Sequence, residues 1–286
     1  MCLVALALGQ SQRFPLVLAS NRDEFFDRPT AALDWSTPPG GGPAMLAGRD
    51  LKAGGTWLGL TAAGRLALVT NVRAPSTVQA AAPSRGELVP RWLRGESPFD
   101  AWWSDVQAAG YNGFNLVAAD LAQGEWTWAS NTGLPARRLA AGLYAVSNAA
   151  LDTPWPKTER LKRELRAALR RTTADEMSPE ALAARLFDAL ADRRIASDAE
   201  LPATGIPLAR ERELSAAFIR TTDGRYGTRC SIVVISERVE RRSITYVFER
   251  TFDGSEQPTV LRRTRLLDWP PLPGTAAQTE AVALTE

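Results

Sequence analysis

The chain has 286 residues, of which 45% are hydrophobic and 23% are charged, a composition typical of an ordinary globular protein. Its 34 basic and 32 acidic residues leave a net charge of +2, which is too small to favour nucleic acid as a partner. The chain contains no histidine. A Ser-His-Asp triad, a Cys-His pair, a histidine-containing zinc site and a histidine-ligated haem are therefore excluded.

A layered protein of this length commonly folds as one large unit. We predict a single domain over residues 1–270. The last residues, 271–286, contain prolines at their start and little hydrophobic pattern, so we expect a mobile C-terminal tail.

Cysteine usage and apolar runs bear on compartment and membrane attachment. Two cysteines are too few for a disulfide framework or a four-thiolate metal site, which fits a reducing compartment, and we expect a cytoplasmic protein. The apolar run at residues 3–8 is short for a signal peptide, and no run approaches the ~20 apolar residues of a membrane-spanning helix. We predict no cofactor and no metal site. The expected partner is a small-molecule substrate or ligand.

The chain opens with a predicted strand, turn and strand, because two β-prone runs at residues 3–8 and 16–19 are separated by polar residues and a glycine. Further β-branched or apolar runs predict strands at residues 56–61, 65–70, 114–119, 125–129, 143–147, 226–236 and 243–250.

Two helices are predicted in the middle of the chain. Residues 157–171 place Leu161, Leu165 and Leu169 on one face, and the other face is strongly basic. The next helix begins with Ser178 as its N-cap and Pro179 at its first position. Because strands cluster on both sides of these helices, we predict an α+β fold in which helices are layered on mainly antiparallel sheets.

Cys2 is the first candidate for chemistry. Removal of Met1 would leave a thiol and a free α-amine on the same residue, and the amine can accept the thiol proton without histidine. On position alone, a small buried hydrophobic residue at the start of a strand is the favoured interpretation.

Polar residues at predicted strand ends supply the other candidates. The tetrad Asn21-Arg22-Asp23-Glu24 follows an apolar run, and it is either a site or a solvated turn with local ion pairs. Asn71 and Asn148 each follow a strand, where they can donate to an oxyanion or close an Asx turn. Arg229 is either a site cation or an edge-strand charge. Cys230 is more typical of a core residue.

Several motifs in a fixed order resemble those of one known family. The motifs are Met1-Cys2, Asn21-Arg22-Asp23-Glu24, Gly54-Gly55-Thr56-Trp57-Leu58-Gly59, Thr70-Asn71-Val72-Arg73, Ser84-Arg85-Gly86, Phe114-Asn115, Val146-Ser147-Asn148 and Tyr226-Gly227-Thr228-Arg229. Together they resemble the NRDE family, also called the transport and Golgi organisation protein 2 family. That family resembles N-terminal-nucleophile hydrolases of the penicillin V acylase and bile salt hydrolase kind.

The resemblance implies a four-layer αββα sandwich of antiparallel sheets with an N-terminal cysteine nucleophile. It also implies site roles. Cys2 matches the nucleophile, Arg22 and Asp23 match the Arg and Asp beside it, Asn71 and Asn148 match the oxyanion and amine-orienting asparagines, and Arg229 matches a late arginine of the site.

The leading hypothesis is an amide hydrolase or acyltransferase that forms an acyl-enzyme on Cys2 from an amide or thioester. A second hypothesis is a non-catalytic carrier or chaperone that holds haem-like, acyl-CoA or lipid ligands in the same cleft. The second hypothesis is motivated by the basic side chains of Lys157, Arg160, Lys162, Arg163, Arg166, Arg170 and Arg171, although a solvated helix face is their more common role. A scaffold that keeps the site without turnover is a third.

Overall fold

Two seven-stranded antiparallel sheets form the centre of the protein. The computed structural model describes residues 2–38, 41–95, 97–171, 177–254, 257–271 and 281–284. The strands are β1 (Cys2–Leu8), β2 (Leu16–Phe25), β3 (Thr30–Ser36), β4 (Met45–Asp50), β5 (Leu58–Thr61), β6 (Arg65–Asn71), β7 (Phe114–Asp120), β8 (Glu125–Ser130), β9 (Arg137–Arg138), β10 (Gly142–Val146), β11 (Tyr226–Val239), β12 (Arg242–Thr251), β13 (Val260–Leu267) and β14 (Ala281–Leu284). The helices are α1 (Leu88–Arg94), α2 (Phe99–Ala108), α3 (Pro156–Arg171), α4 (Pro179–Leu190) and α5 (Leu208–Glu213).

The first sheet has the strand order β10-β1-β2-β11-β12-β13-β14, and the second has the order β3-β4-β5-β6-β7-β8-β9. We call them sheet A and sheet B. Every pairing within both sheets is antiparallel among the residues described. Sheet A therefore brings strands from the two ends of the chain together, with β2 lying between β1 and β11.

The two sheets pack face to face around a common apolar core. Successive side chains of a strand point to opposite faces, so Val4 and Leu6 of β1 lie in the core between the sheets, whereas Leu3 and Ala5 face the helices. A strand that is buried on both faces needs a continuous apolar run, which is the pattern at residues 3–8.

Helices cover the outer face of each sheet. Leu161 and Leu165 of α3 and Leu182 and Leu186 of α4 pack on sheet A, and each buried leucine contributes about 1.5–3 kcal/mol. Helices α1 and α2 pack on sheet B through an aromatic cluster in which the rings of Trp92 and Trp102 meet edge to face. The layers run helix, sheet, sheet, helix. This confirms the predicted α+β fold and its four-layer αββα arrangement.

Several elements match the sequence pattern closely. Ser178 caps α4 as predicted, because its side chain accepts a hydrogen bond from the backbone N–H of Ala181. The pattern does not predict α5, β3, β4, β9, β13 or β14, and it does not predict the two helices α1 and α2. The two helices are only 7 and 10 residues long, and their stability comes from the aromatic cluster and not from a long periodic stripe.

The predicted division at residue 270 stays a prediction. Residues 272–280, 285 and 286, which make up most of the expected tail, lie outside the described residues. Ala281–Leu284 pairs with β13. None of the helices in the described part of the chain is long and apolar enough to cross a membrane.

Candidate functional site

Cys2 and Arg22 lie directly opposite each other on the neighbouring strands β1 and β2. On its other side Arg22 pairs with Cys230 of β11, so the central strand β2 separates the two cysteines. Cys2 is only 7% exposed, and its side chain lines a cleft of about 240 Å³. Strand pairing therefore holds the sulfur at the wall of a cleft.

The polar tetrad lies inside β2, not in a turn after it, because the strand continues to Phe25. Asn21 is fully buried and faces the helical layer, where its side chain donates to the carbonyls of Leu190 and Ala217. Arg22 points the other way. Its guanidinium lies 4.3 Å from the centre of the Trp57 ring and donates to the hydroxyl of Thr30 at 3.3 Å. The interpretation as a solvated turn is wrong, since Asn21 and Arg22 are both buried.

Asp23 also lines the cleft, and it is held from two sides. Its Oδ1 accepts a hydrogen bond from the hydroxyl of Thr228 at 2.8 Å, and its backbone carbonyl accepts one from the hydroxyl of Tyr226 at 2.9 Å. Burial raises the pKa of Asp23, while the positive charge of Lys157 acts in the opposite direction. The carboxyl is thus a fixed, desolvated acid close to Cys2.

Lys157 is buried like Asp23, although the sequence pattern placed it on the basic face of α3. Only 2% of Lys157 is exposed, and its Nζ donates to the backbone carbonyl of Leu214 at 3.0 Å. Burial lowers its pKa to about 8, and the charge of Asp23 opposes that shift. Residue type and helical spacing do not show that the first turn of α3 enters the protein. None of the basic residues of α3 lines the cleft.

Asn71 and Asn148 are brought together, but only Asn71 lines the cleft. The Nδ2 of Asn148 donates to the backbone carbonyl of Asn71 at 2.8 Å. Ser147 donates from Oγ to the backbone carbonyl of Cys2 at 3.0 Å. The motif at residues 146–148 therefore holds the backbone of Cys2 and the backbone of Asn71. Ser147 is not among the site residues predicted from the sequence. The sequence feature that points to it is its place in the motif Val146-Ser147-Asn148.

Arg229 lies beside the site but not in the cleft wall. The register of β11 against β2 shifts between Thr228 and Cys230, and Arg229 occupies this irregularity. Its Nη1 donates to three backbone carbonyls in residues 25–28, at 2.8 to 3.1 Å. The expectation of an edge-strand charge is wrong because β11 is an inner strand. Arg229 fixes the segment that follows β2.

Cys230 is a core residue, as predicted. It is 3% exposed within the apolar core between the sheets, and burial raises the pKa of its thiol well above the usual range.

Three charged residues line the cleft that the sequence did not propose for the site: Arg28, Asp50 and Arg85. Arg28 and Asp50 form an ion pair at 2.7 Å. Arg85 belongs to a short 3-10 helix, Arg85–Glu87, and donates to the backbone carbonyl of Gly113 at 3.1 Å. In the sequence, Arg85 stands out only as part of a family motif, because the segment that carries it joins Cys2 in the cleft only in the folded protein.

The arrangement places a thiol, an acid, cations and an amide along one cleft. Burial raises the pKa of the Cys2 thiol, so the thiolate forms at neutral pH only if a nearby base takes the proton. In the described part of the chain, no group of three or more cysteine, aspartate and glutamate side chains is placed to hold a metal ion.

Comparison with known proteins agrees with this architecture. A Transport and Golgi organization protein 2 homolog from Bos taurus is 36% identical over 260 residues, which cover 85% of this chain and 88% of that protein. The homolog from Mus musculus is 32% identical over 238 residues, which cover 78% of this chain and 82% of that protein.

Among solved structures, a mutant conjugated bile acid hydrolase from Clostridium perfringens matches 100% of this chain and 97% of its own length with a TM-score of 0.51 at 9% identity. That likeness shows the N-terminal-nucleophile hydrolase fold. The sequence match is more specific, because residues 1–254 correspond to the family Transport and Golgi organisation 2. The chain belongs to the Transport and Golgi organisation 2 family.

Proposed function

We propose that the protein is an N-terminal cysteine hydrolase or acyltransferase that acts on an amide or thioester of a small acyl-bearing molecule. The observation that carries the proposal is the convergence of Cys2, Arg22, Asp23 and Asn71 on one cleft. These residues come from three strands and from both sheets. Packing of the core alone does not require buried polar groups to converge in this way.

Removal of Met1 is the proposed activating step. The thiol and the new α-amine then belong to the same residue, and an α-amine with a pKa of about 7.7–8.0 is partly neutral at physiological pH. This amine takes the thiol proton, directly or through water. The buried carboxyl of Asp23 orients the protonated amine, which also compensates the cost of burying the acid.

The reaction then follows acyl transfer. The sulfur of Cys2 attacks the substrate carbonyl, a C–S bond forms, and the carbonyl oxygen becomes an oxyanion. Collapse of this intermediate breaks the bond to the leaving group, which receives the proton from the α-amine. Water or an amine attacks the resulting thioester and gives its proton to the α-amine, and the sulfur leaves as thiolate.

The other candidates have supporting roles in this scheme. Asn71 donates from its side chain to the oxyanion. Asn148 is a positioning residue, since it holds the backbone of Asn71. Arg22 stabilises negative charge near the sulfur. Arg229 positions the segment after β2 through its bonds to backbone carbonyls.

Two forms of the protein test the proposal: one with Met1 removed and one with Met1 retained. Intact-mass measurement and N-terminal sequencing identify each form, and iodoacetamide reports the reactivity of Cys2 as a function of pH. We expect the form without Met1 to react at neutral pH. The form with Met1 should need alkaline pH, because burial raises the pKa of the thiol. Cys2→Ser should abolish the adduct. Equal pH profiles for the two forms, or native protein that keeps Met1, would contradict the proposal.

A further inference from the structure

Arg85 is held in the cleft by a close backbone contact. A Cβ atom at Gly55 would lie 2.4 Å from the carbonyl carbon of Gly86, so the two segments approach as closely as glycine allows. The N–H of Thr56 donates to the carbonyl of Gly86 at 2.9 Å. These contacts fix the segment that carries Arg85 against the start of β5. The backbone beside Arg85 is therefore fixed, and its guanidinium is held by its hydrogen bond to the carbonyl of Gly113.

Three arginines line the cleft, and two of them face carboxylates. Arg28 pairs with Asp50 at 2.7 Å, and Arg22 lies 3.8 Å from Glu24. Arg85 makes no ion pair with any residue that the structure describes. Its hydrogen-bond acceptor is the neutral carbonyl of Gly113. Among the residues described, Arg85 is thus the cleft arginine that has no carboxylate within ion-pair distance.

The surroundings of Arg85 make this charge effective. It is half-buried, and burial lowers its pKa, while negative charge on Cys2 and on Glu24 acts to raise it. The guanidinium stays protonated, since arginine titrates far above neutral pH. A partly desolvated guanidinium binds carboxylate and phosphate more strongly than an exposed one, and its planar shape suits two parallel hydrogen bonds.

We propose that Arg85 forms an anion subsite of the cleft, which binds a carboxylate or phosphate group of the substrate while the scissile carbonyl lies at Cys2. The inference rests on the proposed function for the reaction at Cys2, but the binding of an anion at Arg85 does not depend on that reaction. It narrows the substrate class to acyl compounds that carry an anionic group. The net charge of +2 over the whole chain is too small to give such a preference by long-range attraction.

A pair of alkylating reagents that differ by one charge provides the kinetic test. Iodoacetate and iodoacetamide are attacked by the same Cys2 thiolate, with formation of a C–S bond and loss of iodide. The ratio of the iodoacetate rate to the iodoacetamide rate therefore does not depend on the pKa of the thiol. We expect this ratio to be about tenfold higher for Cys2 than for free cysteine. A factor of this size is what one charge-assisted hydrogen bond from Arg85 to the carboxylate of iodoacetate would give. Mass spectrometry of the digested protein separates Cys2 from Cys230.

Variants assign the effect to Arg85. Arg85→Gln should bring the ratio back to that of free cysteine, and Arg85→Lys should keep part of the preference because it keeps the charge. Arg163→Gln removes an exposed arginine of α3 and should leave the ratio unchanged. A ratio that is the same in wild type and Arg85→Gln overturns the inference, and the reactive thiol of the proposed function still stands.

An equilibrium measurement does not require a reactive thiol. Calorimetric titration of Cys2→Ser with N-acetylglycine and with its uncharged amide compares two ligands that differ by one charge. We expect the carboxylate to bind about tenfold more tightly, and Arg85→Gln in the same background to lose the difference. Equal affinities overturn the anion subsite. An unreactive Cys2 together with a retained carboxylate preference would instead reject the proposed function and support the subsite.

Discussion

Asn148 donates from its side chain to the backbone carbonyl of Asn71 at 2.8 Å, and this hydrogen bond joins the two sheets beside the cleft. Asn71 ends β6 of sheet B, while Asn148 follows β10 of sheet A. A second bond crosses at the same place, because the hydroxyl of Thr70 donates to the carbonyl of Ser147 at 2.6 Å. The geometry of the cleft therefore depends on polar contacts between the sheets as well as on the apolar core.

Asn148→Ala should lower the free energy of unfolding by about 1–3 kcal/mol, because it leaves the partly buried carbonyl of Asn71 without this donor. Asn148→Asp should be at least as damaging at neutral pH, since it places an acceptor opposite that carbonyl. Urea unfolding measures both variants. If Asn148→Asp were as stable as wild type, the hydrogen bond would not be holding Asn71.

A double-mutant cycle on Asp23 and Lys157 should reveal coupling between their buried charges. Asp23→Asn and Lys157→Met should each destabilise the protein by about 2–4 kcal/mol, because each removes one of two buried, opposite charges that attract each other. The double variant should lose less than the sum, with a coupling energy of about 1–3 kcal/mol. Urea unfolding of all four proteins gives the value.

Lys162 supplies the matched control for that cycle. It lies on the same helix and pairs with Asp152 and Glu159 instead. Lys162→Met and Asp23→Asn should add within about 0.5 kcal/mol. Additivity in the Lys157 cycle as well would show that the lysine does not compensate Asp23.

Glu249 should make the free energy of unfolding fall as the pH rises from 4.5, the ordinary pKa of a glutamate, towards 7. This buried side chain on β12 accepts the backbone N–H of Leu33 on β3 at 2.6 Å, and burial raises its pKa from 4.5 to about 7. Between these values the folded protein keeps a proton that the unfolded chain has released. The free energy of unfolding therefore decreases through this range, by up to about 3 kcal/mol at neutral pH.

Glu249→Gln is neutral at every pH and keeps an oxygen to accept the Leu33 N–H. Its stability at pH 4.5 should resemble that of wild type, and it should become the more stable protein near pH 7. Chemical unfolding at several pH values makes the comparison, with the exposed Glu240→Gln as control. A wild-type slope that persists in Glu249→Gln would assign the pH dependence to other groups.

Gly55→Ala should displace the segment that carries Arg85, because the new Cβ would lie 2.4 Å from the carbonyl carbon of Gly86. Overpacking of this kind costs about 1–3 kcal/mol. Gly86→Ala is the control, since its Cβ would meet nothing closer than 3.5 Å. Thermal unfolding should separate the two variants, and comparable stabilities would mean that the backbone contact yields easily.

Much of the fold follows from patterns that act over a few residues. The apolar run at residues 3–8, the leucine spacing of α3 and the cap at Ser178 each predict their element, because strand and helix periodicity are local properties. Helices α1 and α2 are different. Their seven and ten residues form helices through packing of Trp92, Phe99 and Trp102 on sheet B, and that surface does not exist until the sheet forms.

The candidate site divides in the same way. The sequence by itself excluded histidine chemistry and directed attention to Cys2, Arg22, Asp23 and Asn71, since residue type fixes which reactions are available. Only the tertiary structure decided that these four residues share a cleft and that Arg85 also lines it. It also decided that Asn148 and Arg229 donate hydrogen bonds to backbone carbonyls beside the cleft, and that Lys157 is buried. The physical reason is that the chemistry of a side chain depends only on the residue type at that position. Burial and charge compensation depend instead on which distant segments the antiparallel strand register brings together.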